Sequence, residues 1–132
     1  MNPFYTDYAE MLEKEKPDVV DISTPTYLHA EQAIAAMRAG AHVLCEKPLC
    51  ISPTEAEALL AIPRREGQVL GMVFNNRWLS PILRAKQLIE EGALGRILSF
   101  SFHYRHDSDI DPARFVGWKQ DATICGAGTL YD

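Results

Sequence analysis

Short apolar segments alternate with amphipathic helical segments along the first 78 residues of this chain. The β-branched segment 19–23 ends at Thr24-Pro25, and the apolar residues of 30–37 then recur at helical spacing. A second apolar segment, 42–45, is followed by another helical pattern. Strands that alternate with helices form crossover units, which place the strands parallel. The pattern therefore predicts a doubly wound, parallel α/β sheet.

Capping residues mark where the helices begin and end. Asp7 with Glu10, and Ser52-Pro53 with Glu55, have the spacing of helix N-termini, and Gly40 stands where a helix would end. A further helix is predicted to open at Ser80-Pro81. The inward positions predicted for the last two helices are Ala56, Leu59 and Leu60, and Ala85, Leu88 and Ile89.

A third strand is predicted at 68–74, and the pattern changes after Gly95. Residues 97–104 alternate between polar and apolar side chains, which is typical of a strand with one covered face. We expect them to begin an α+β domain with a mostly antiparallel sheet. The predicted domains are 1–78, the second half of a dinucleotide-binding domain, and 79–132, the start of a substrate and dimerisation domain.

Composition excludes several classes of protein. The net charge is -5 without a Lys/Arg block, so no nucleic-acid partner is expected, and no apolar run approaches the roughly 18 residues that span a bilayer. The N-terminal sequence does not resemble a signal peptide, and a cytoplasmic location is expected. The three cysteines lack the spacing of a zinc site. Cys45 is interpreted as a small buried residue, with a reactive thiol as the alternative.

The segment 20–49 contains TPxxxH, at the end of one predicted strand, and EKP, at the end of the next. It closely resembles the dinucleotide-binding domain of the glucose-fructose oxidoreductase, inositol dehydrogenase and MocA family. The FNNR sequence at 74–77, LIEEGALGRI at 88–97 and GAGTLYD at 126–132 are also similar to motifs of that family. The likeness covers essentially the whole chain, which itself contains no GxGxxG turn.

This resemblance implies an NAD- or NADP-dependent oxidoreductase that acts on a sugar or polyol hydroxyl. It also implies that residue 1 follows the family's Gly-rich loop and that residue 132 precedes its catalytic histidine by four positions. We therefore expect a fragment that is inactive alone, poorly stable or rearranged, and prone to form a homo-oligomer. The choice between NAD and NADP and the identity of the sugar stay open.

The expected catalytic residues are Lys47 and Asp132. A cationic donor at the end of a parallel strand stabilises the charge that develops on a hydroxyl oxygen as it becomes a carbonyl oxygen. The resemblance gives Lys47 this role as proton donor and acceptor, and it implies a cis peptide bond before Pro48. Asp132 resembles the first residue of the family's DxxxH motif, whose histidine is absent here.

The cofactor-binding residues implied by the resemblance are Ser23, Thr24, Pro25, His29, Glu46, Lys47, Asn75 and Arg77. Two of them have alternatives: His29 as a helix N-terminal residue that hydrogen-bonds the backbone, and Arg77 as a partner in a structural ion pair. Trp118-Lys119 resembles a Trp-Arg pair of some members, but lysine cannot make the bidentate contact of arginine.

No metal site is expected. The residues His103, His106, Asp107, Asp109 and Asp111 are interpreted as part of a strand and a solvated acidic loop. Two other functions stay open: a catalytically inactive binding or regulatory module of the same fold, and a half-domain that works only by self-association.

Overall fold

The computed structural model describes residues 3–103, which fall into two compact units, one up to Val73 and one from Phe74. The first unit contains α1 (Tyr8–Glu15), β1 (Val19–Ile22), α2 (His29–Ala39), β2 (His42–Cys45), α3 (Pro53–Leu60) and β3 (Leu70–Met72). The second contains α4 (Ser80–Glu90). Short 3-10 helices, Thr26–Leu28 and Asn75–Trp78, precede α2 and α4. The predicted domain ranges stay predictions, because residues 104–132 lie outside the described part.

The three strands form one parallel sheet in the order β1, β2, β3. Val20 pairs with Val43, and Ile22 pairs with Cys45, so β1 and β2 are in register at their carboxyl ends. β3 pairs with the other side of β2. The prediction of a parallel α/β sheet is confirmed, and its carboxyl edge is where ligands bind in such folds.

One face of the sheet carries the core. Val20, Ile22, Val43 and Cys45 alternate with exposed residues along β1 and β2 and are at most 7% accessible. Helix α2 packs on both strands and also contacts α1 and α3. The helical and loop residues of the core are Leu12, Ala30, Ala33, Ala36, Met37, Ala41, Leu59 and Ile62.

The opposite face of the sheet is accessible and carries both apolar and polar side chains. Val19 is 60% exposed and Leu44 is 42% exposed, and they pair with His42 and Asp21 of the neighbouring strand. Their positions follow from the period of two along a strand, which sends alternate side chains to opposite faces.

The predicted helix starts in the first unit are confirmed. The Asp7 carboxylate accepts a hydrogen bond from the backbone N–H of Glu10 at 2.9 Å. Ser52 and Glu55 form a reciprocal capping box, with Pro53 at the first helical position of α3. Gly40 ends α2 with φ 95°, a left-handed conformation that disfavours residues with a Cβ.

Predictions of which helix side chains are buried, and of the length of one strand, are wrong. Leu60 was placed inward but is 75% exposed, because α3 buries only Leu59. Ala85 and Ile89 of α4 are likewise exposed, and Leu88 is half-buried. The third strand is shorter than 68–74, since Gln68 turns its amide toward the end of α2 instead of pairing in the sheet.

The alternating segment forms no strand between residues 97 and 103. Phe100 and Phe102 stack with their ring centroids 6.4 Å apart, as expected of an extended chain that places every second side chain on one side. Both rings are largely exposed. The part of the predicted strand at Tyr104 lies outside the described residues.

Candidate functional site

The candidate site lies where β1 and β2 end. The last bond of the ladder between them runs from the Glu46 N–H to the Ile22 carbonyl at 2.8 Å. Beyond it the two chains enter loops, which hold Ser23, Thr24 and Pro25 on one side and Lys47 and Pro48 on the other. The loops are adjacent because parallel strands end at the same edge of a sheet.

Lys47 is half-buried and comes two residues after the end of β2. Its peptide bond to Pro48 is cis, as predicted. The Lys47 backbone N–H donates to the Glu46 carboxylate at 3.2 Å, so the Glu46 side chain folds back over its own loop. The segment Glu46-Lys47-Pro48 thus forms a loop in which the Glu46 carboxylate contacts the backbone of Lys47.

The loop after β1 presents hydroxyl groups. Ser23 is exposed, and Thr24 and Pro25 are half-buried. The Thr24 hydroxyl donates to the Gln32 side-chain carbonyl at 2.7 Å. The Thr24 backbone carbonyl lies 2.7 Å from His29 Nε2. Thr24 is therefore fixed from α2 through both its side chain and its backbone.

His29 is the first residue of α2 and is 1% exposed. Its Nδ1 lies 2.7 Å from the Pro48 carbonyl, and its Nε2 lies 2.7 Å from the Thr24 carbonyl. The ring thus bridges the loop after β1 and the loop after β2. Its contacts match the alternative in which this histidine hydrogen-bonds the backbone.

Two cysteines border these loops. Burial raises the pKa of the Cys45 thiol to about 12, helped by the nearby charges of Glu46 and Asp21. Burial, with the Glu55 carboxylate, also raises the pKa of Cys50. A thiol that stays protonated at neutral pH is a poor nucleophile, so the interpretation of Cys45 as a buried core residue is confirmed.

The remaining predicted site residues belong to the second unit or lie outside the described part. Asn75 and Arg77 are in the second unit and are exposed, and the Arg77 guanidinium lies 5.6 Å from the centroid of the Phe74 ring. The sequence did not predict this cation–π contact of Arg77. Asp132 and Trp118-Lys119 lie outside the described residues.

Sequence reasoning missed Gln32. Its side chain holds Thr24, and its backbone carbonyl accepts a hydrogen bond from the Tyr8 hydroxyl at 3.0 Å. Burial raises the pKa of Tyr8 to about 12. The spacing of three residues between His29 and Gln32 was an available signal, because it places both on one face of α2.

Other kinds of site are not found in residues 3–103. No group of three or more His, Cys, Asp or Glu side chains there is placed to hold a metal ion. In the same residues, no helix has the length and apolar character needed to cross a membrane. His106 and the three aspartates of the acidic loop lie beyond the described part.

Comparison with protein families gives two matches. A profile of the oxidoreductase family GFO/IDH/MocA, described as having an NAD-binding Rossmann fold, matches residues 1–74. A profile described as the GFO/IDH/MocA C-terminal domain matches residues 82–132.

Individual proteins are similar over nearly the whole chain. Levoglucosan dehydrogenase of Pseudarthrobacter phenanthrenivorans is 41% identical over 96% of this chain and 33% of its own length. A 1,5-anhydro-D-fructose reductase of Ensifer adhaerens is 34% identical over 96% of the chain and 37% of its own length. A structure of levoglucosan dehydrogenase with NADH and levoglucosan superposes with a TM-score of 0.85 at 39% identity, over 97% of this chain and 34% of that one. The chain thus spans about a third of the length of these relatives.

Proposed function

This chain belongs to the GFO/IDH/MocA family of oxidoreductases, and on that premise we propose that Lys47 serves a nicotinamide-dependent dehydrogenase acting on a sugar or polyol. The observation that carries the proposal is the position of Lys47, in the loop that follows β2 at the carboxyl edge of a parallel sheet. The relatives named above are a levoglucosan dehydrogenase and a 1,5-anhydro-D-fructose reductase, and these names support this substrate class.

The side chains at this edge fit a nicotinamide nucleotide. The exposed Ser23 hydroxyl and the half-buried Glu46 carboxylate can accept hydrogen bonds from ribose hydroxyls. Thr24 and Pro25 would line the same groove, and Asn75 and Arg77 are proposed to contact the nicotinamide end. The nucleotide, when bound, supplies the hydride acceptor or donor. Both NAD and NADP stay candidates.

Lys47 would act on the substrate oxygen. In the oxidation direction, the neutral amine of Lys47 accepts the hydroxyl proton as the carbonyl forms, and the resulting ammonium group stabilises the negative charge that develops on the oxygen. In the reverse direction, the ammonium Nζ returns a proton to the carbonyl oxygen, which becomes the new hydroxyl. Asp132 is proposed to hold the substrate hydroxyl.

Turnover of cyclic sugars and inositols by the full-length gene product tests this proposal, with NAD and NADP compared as oxidants. Lys47→Met is expected to lower kcat by about 100-fold or more, since it removes the proton donor but keeps much of the side-chain volume. Lys86→Met is the matched control, because this lysine is 70% exposed on α4. Equal turnover by Lys47→Met and the unaltered protein would contradict the proposal.

Nucleotide binding separates the proposal from its closest competitor. Calorimetric titration of NADH and NADPH into this chain and into the full-length gene product measures binding without turnover. Tight nucleotide binding with no turnover of any sugar or polyol would favour the inactive regulatory module. The cytoplasmic location, the absence of a nucleic-acid partner and the homo-oligomer stay predictions.

A further inference from the structure

We infer that His29 is a positioning residue, which holds the turn containing Lys47 against the end of β1. This role rests on the proposed function of Lys47 and extends it to a residue that the substrate does not touch. His29 would act through two backbone carbonyls, those of Thr24 and Pro48, instead of through the nicotinamide.

The geometry of the ring carries the argument. Both ring nitrogens lie 2.7 Å from carbonyl oxygens, which can only accept hydrogen bonds. Each contact is therefore a hydrogen bond when its ring nitrogen carries a proton, and a ring with protons on both nitrogens donates to both carbonyls. The ring is 1% exposed, so neither nitrogen faces open solvent or a groove. Imidazole is the side chain that carries two nitrogens on opposite edges of one small rigid ring, and here each edge faces a different loop.

These contacts hold the backbone on both sides of Lys47. On its N-terminal side, the Glu46 N–H is tied to Ile22 by the last bond of the strand ladder. On its C-terminal side, the Pro48 carbonyl is held by His29. The ladder does not extend to Pro48, so His29 continues the connection between the two strands into the loops.

A catalytic group needs this support because rates depend steeply on position. A misplacement of about 1 Å can lower a rate by roughly 100-fold. Loops are more mobile than the strands they follow, and sites remain accurate only where surrounding residues hold them. The His29 bridge supplies this constraint at the residue adjacent to Lys47.

Two substitutions at His29 test the inference in the full-length gene product. His29→Leu keeps an apolar side chain of moderate volume but removes both ring nitrogens, and we expect kcat to fall by about 10- to 100-fold. The dissociation constant for NADH should change less than kcat, because the Thr24 side chain stays bound to Gln32. His29→Gln retains an amide N–H donor and should recover part of the lost kcat.

Met37→Ala separates positioning from stability. Met37 is 2% exposed near the other end of α2, so its truncation should lower the melting temperature without disturbing the two loops. We expect its kcat, per folded molecule, to match the unaltered protein. An unchanged kcat in His29→Leu, or an equal loss in Met37→Ala, would overturn the positioning role.

Failure of the inference can be distinguished from failure of the proposed function. If Lys47→Met is inactive while His29→Leu is fully active, only the positioning role is wrong. If Lys47→Met is active, the proposed function is wrong.

NMR of the His29 ring in this chain provides a readout independent of turnover. A ring N–H protected from exchange with water is expected, and rapid exchange at both nitrogens would overturn the bridge.

Discussion

Burial controls the chemistry of Cys45. The side chain lies on the core face of β2 and has no exposed surface, so its thiolate would lose hydration without gaining a cationic partner. The neighbouring Asp21 and Glu46 carboxylates oppose ionisation further. Sequence alone left a reactive thiol as an alternative, and the fold decides against it because a strand residue's exposure depends on what covers its face.

The raised pKa of Cys45 predicts sensitivity to alkaline pH. Above its ordinary pKa of 9.0 the unfolded chain releases the thiol proton, whereas the folded chain keeps it up to about 12. The unfolded state therefore gains relative stability as pH rises through this window, by up to about 1.4 kcal/mol per pH unit. Chemical denaturation between pH 8 and 11 measures the effect. Cys45→Ala should flatten the pH dependence, and an unchanged slope in that variant would contradict the assignment.

Helix α2 is attached at both ends by polar side chains. At its beginning, His29 and Gln32 hold the loops that contain Thr24 and Pro48. At its end, the Gln68 amide donates to the carbonyls of Met37 at 2.9 Å and Ala41 at 2.7 Å. The last carbonyls of a helix lack partners within the helix, so Gln68 supplies a cap from a distant part of the chain.

Loss of this cap should destabilise the first unit. Gln68 is 8% exposed, and its side-chain oxygen also accepts a hydrogen bond from the Arg65 N–H at 3.1 Å. Gln68→Leu removes a donor from the Ala41 carbonyl and from the Met37 carbonyl, of which the second keeps the Gly40 N–H at 3.0 Å. We expect the free energy of unfolding to fall by about 2 kcal/mol. Urea denaturation measures the difference. Gln87→Leu on the exposed surface of α4 is the control, and an equal effect of both substitutions would refute the capping role.

One face of the sheet in the first unit is partly exposed. Val19 and Leu44 lie on this face, and β1 is an edge strand among residues 3–103. Exposed apolar surface beside an unpaired strand edge favours association between molecules. The homo-oligomer stays a prediction, and these two features give a physical reason to expect it.

We expect this chain to self-associate in solution, with an extent that rises with concentration. Leu44→Lys should weaken the association, because burying a lysine against another apolar face is costly. Sedimentation velocity measured over a range of concentrations tests the prediction. Leu60→Lys is the matched control, since Leu60 is 75% exposed on α3 rather than on the sheet. A monomer at every concentration, or equal weakening by both variants, would contradict it.

The sequence by itself determined the order of the elements, the parallel sheet and most helix starts. These features depend on contacts between residues three or four apart, as in the Asp7 cap and the Ser52–Glu55 capping box, and on the periods of helix and strand. The resemblance of the TPxxxH and EKP motifs also located Lys47 and the cis bond that follows it. Both kinds of information are local in the chain.

Only the tertiary structure decided the contacts of His29 and Gln68 and the exposure of Leu60 and Ile89. His29 meets a carbonyl 19 residues away, and Gln68 meets one 31 residues away. Every residue offers the same backbone carbonyl, whatever its side chain. No sequence motif therefore identifies which carbonyl a buried donor will reach. The burial of a helix face depends likewise on which elements pack against it, and the apolar period alone specifies only that such a face exists.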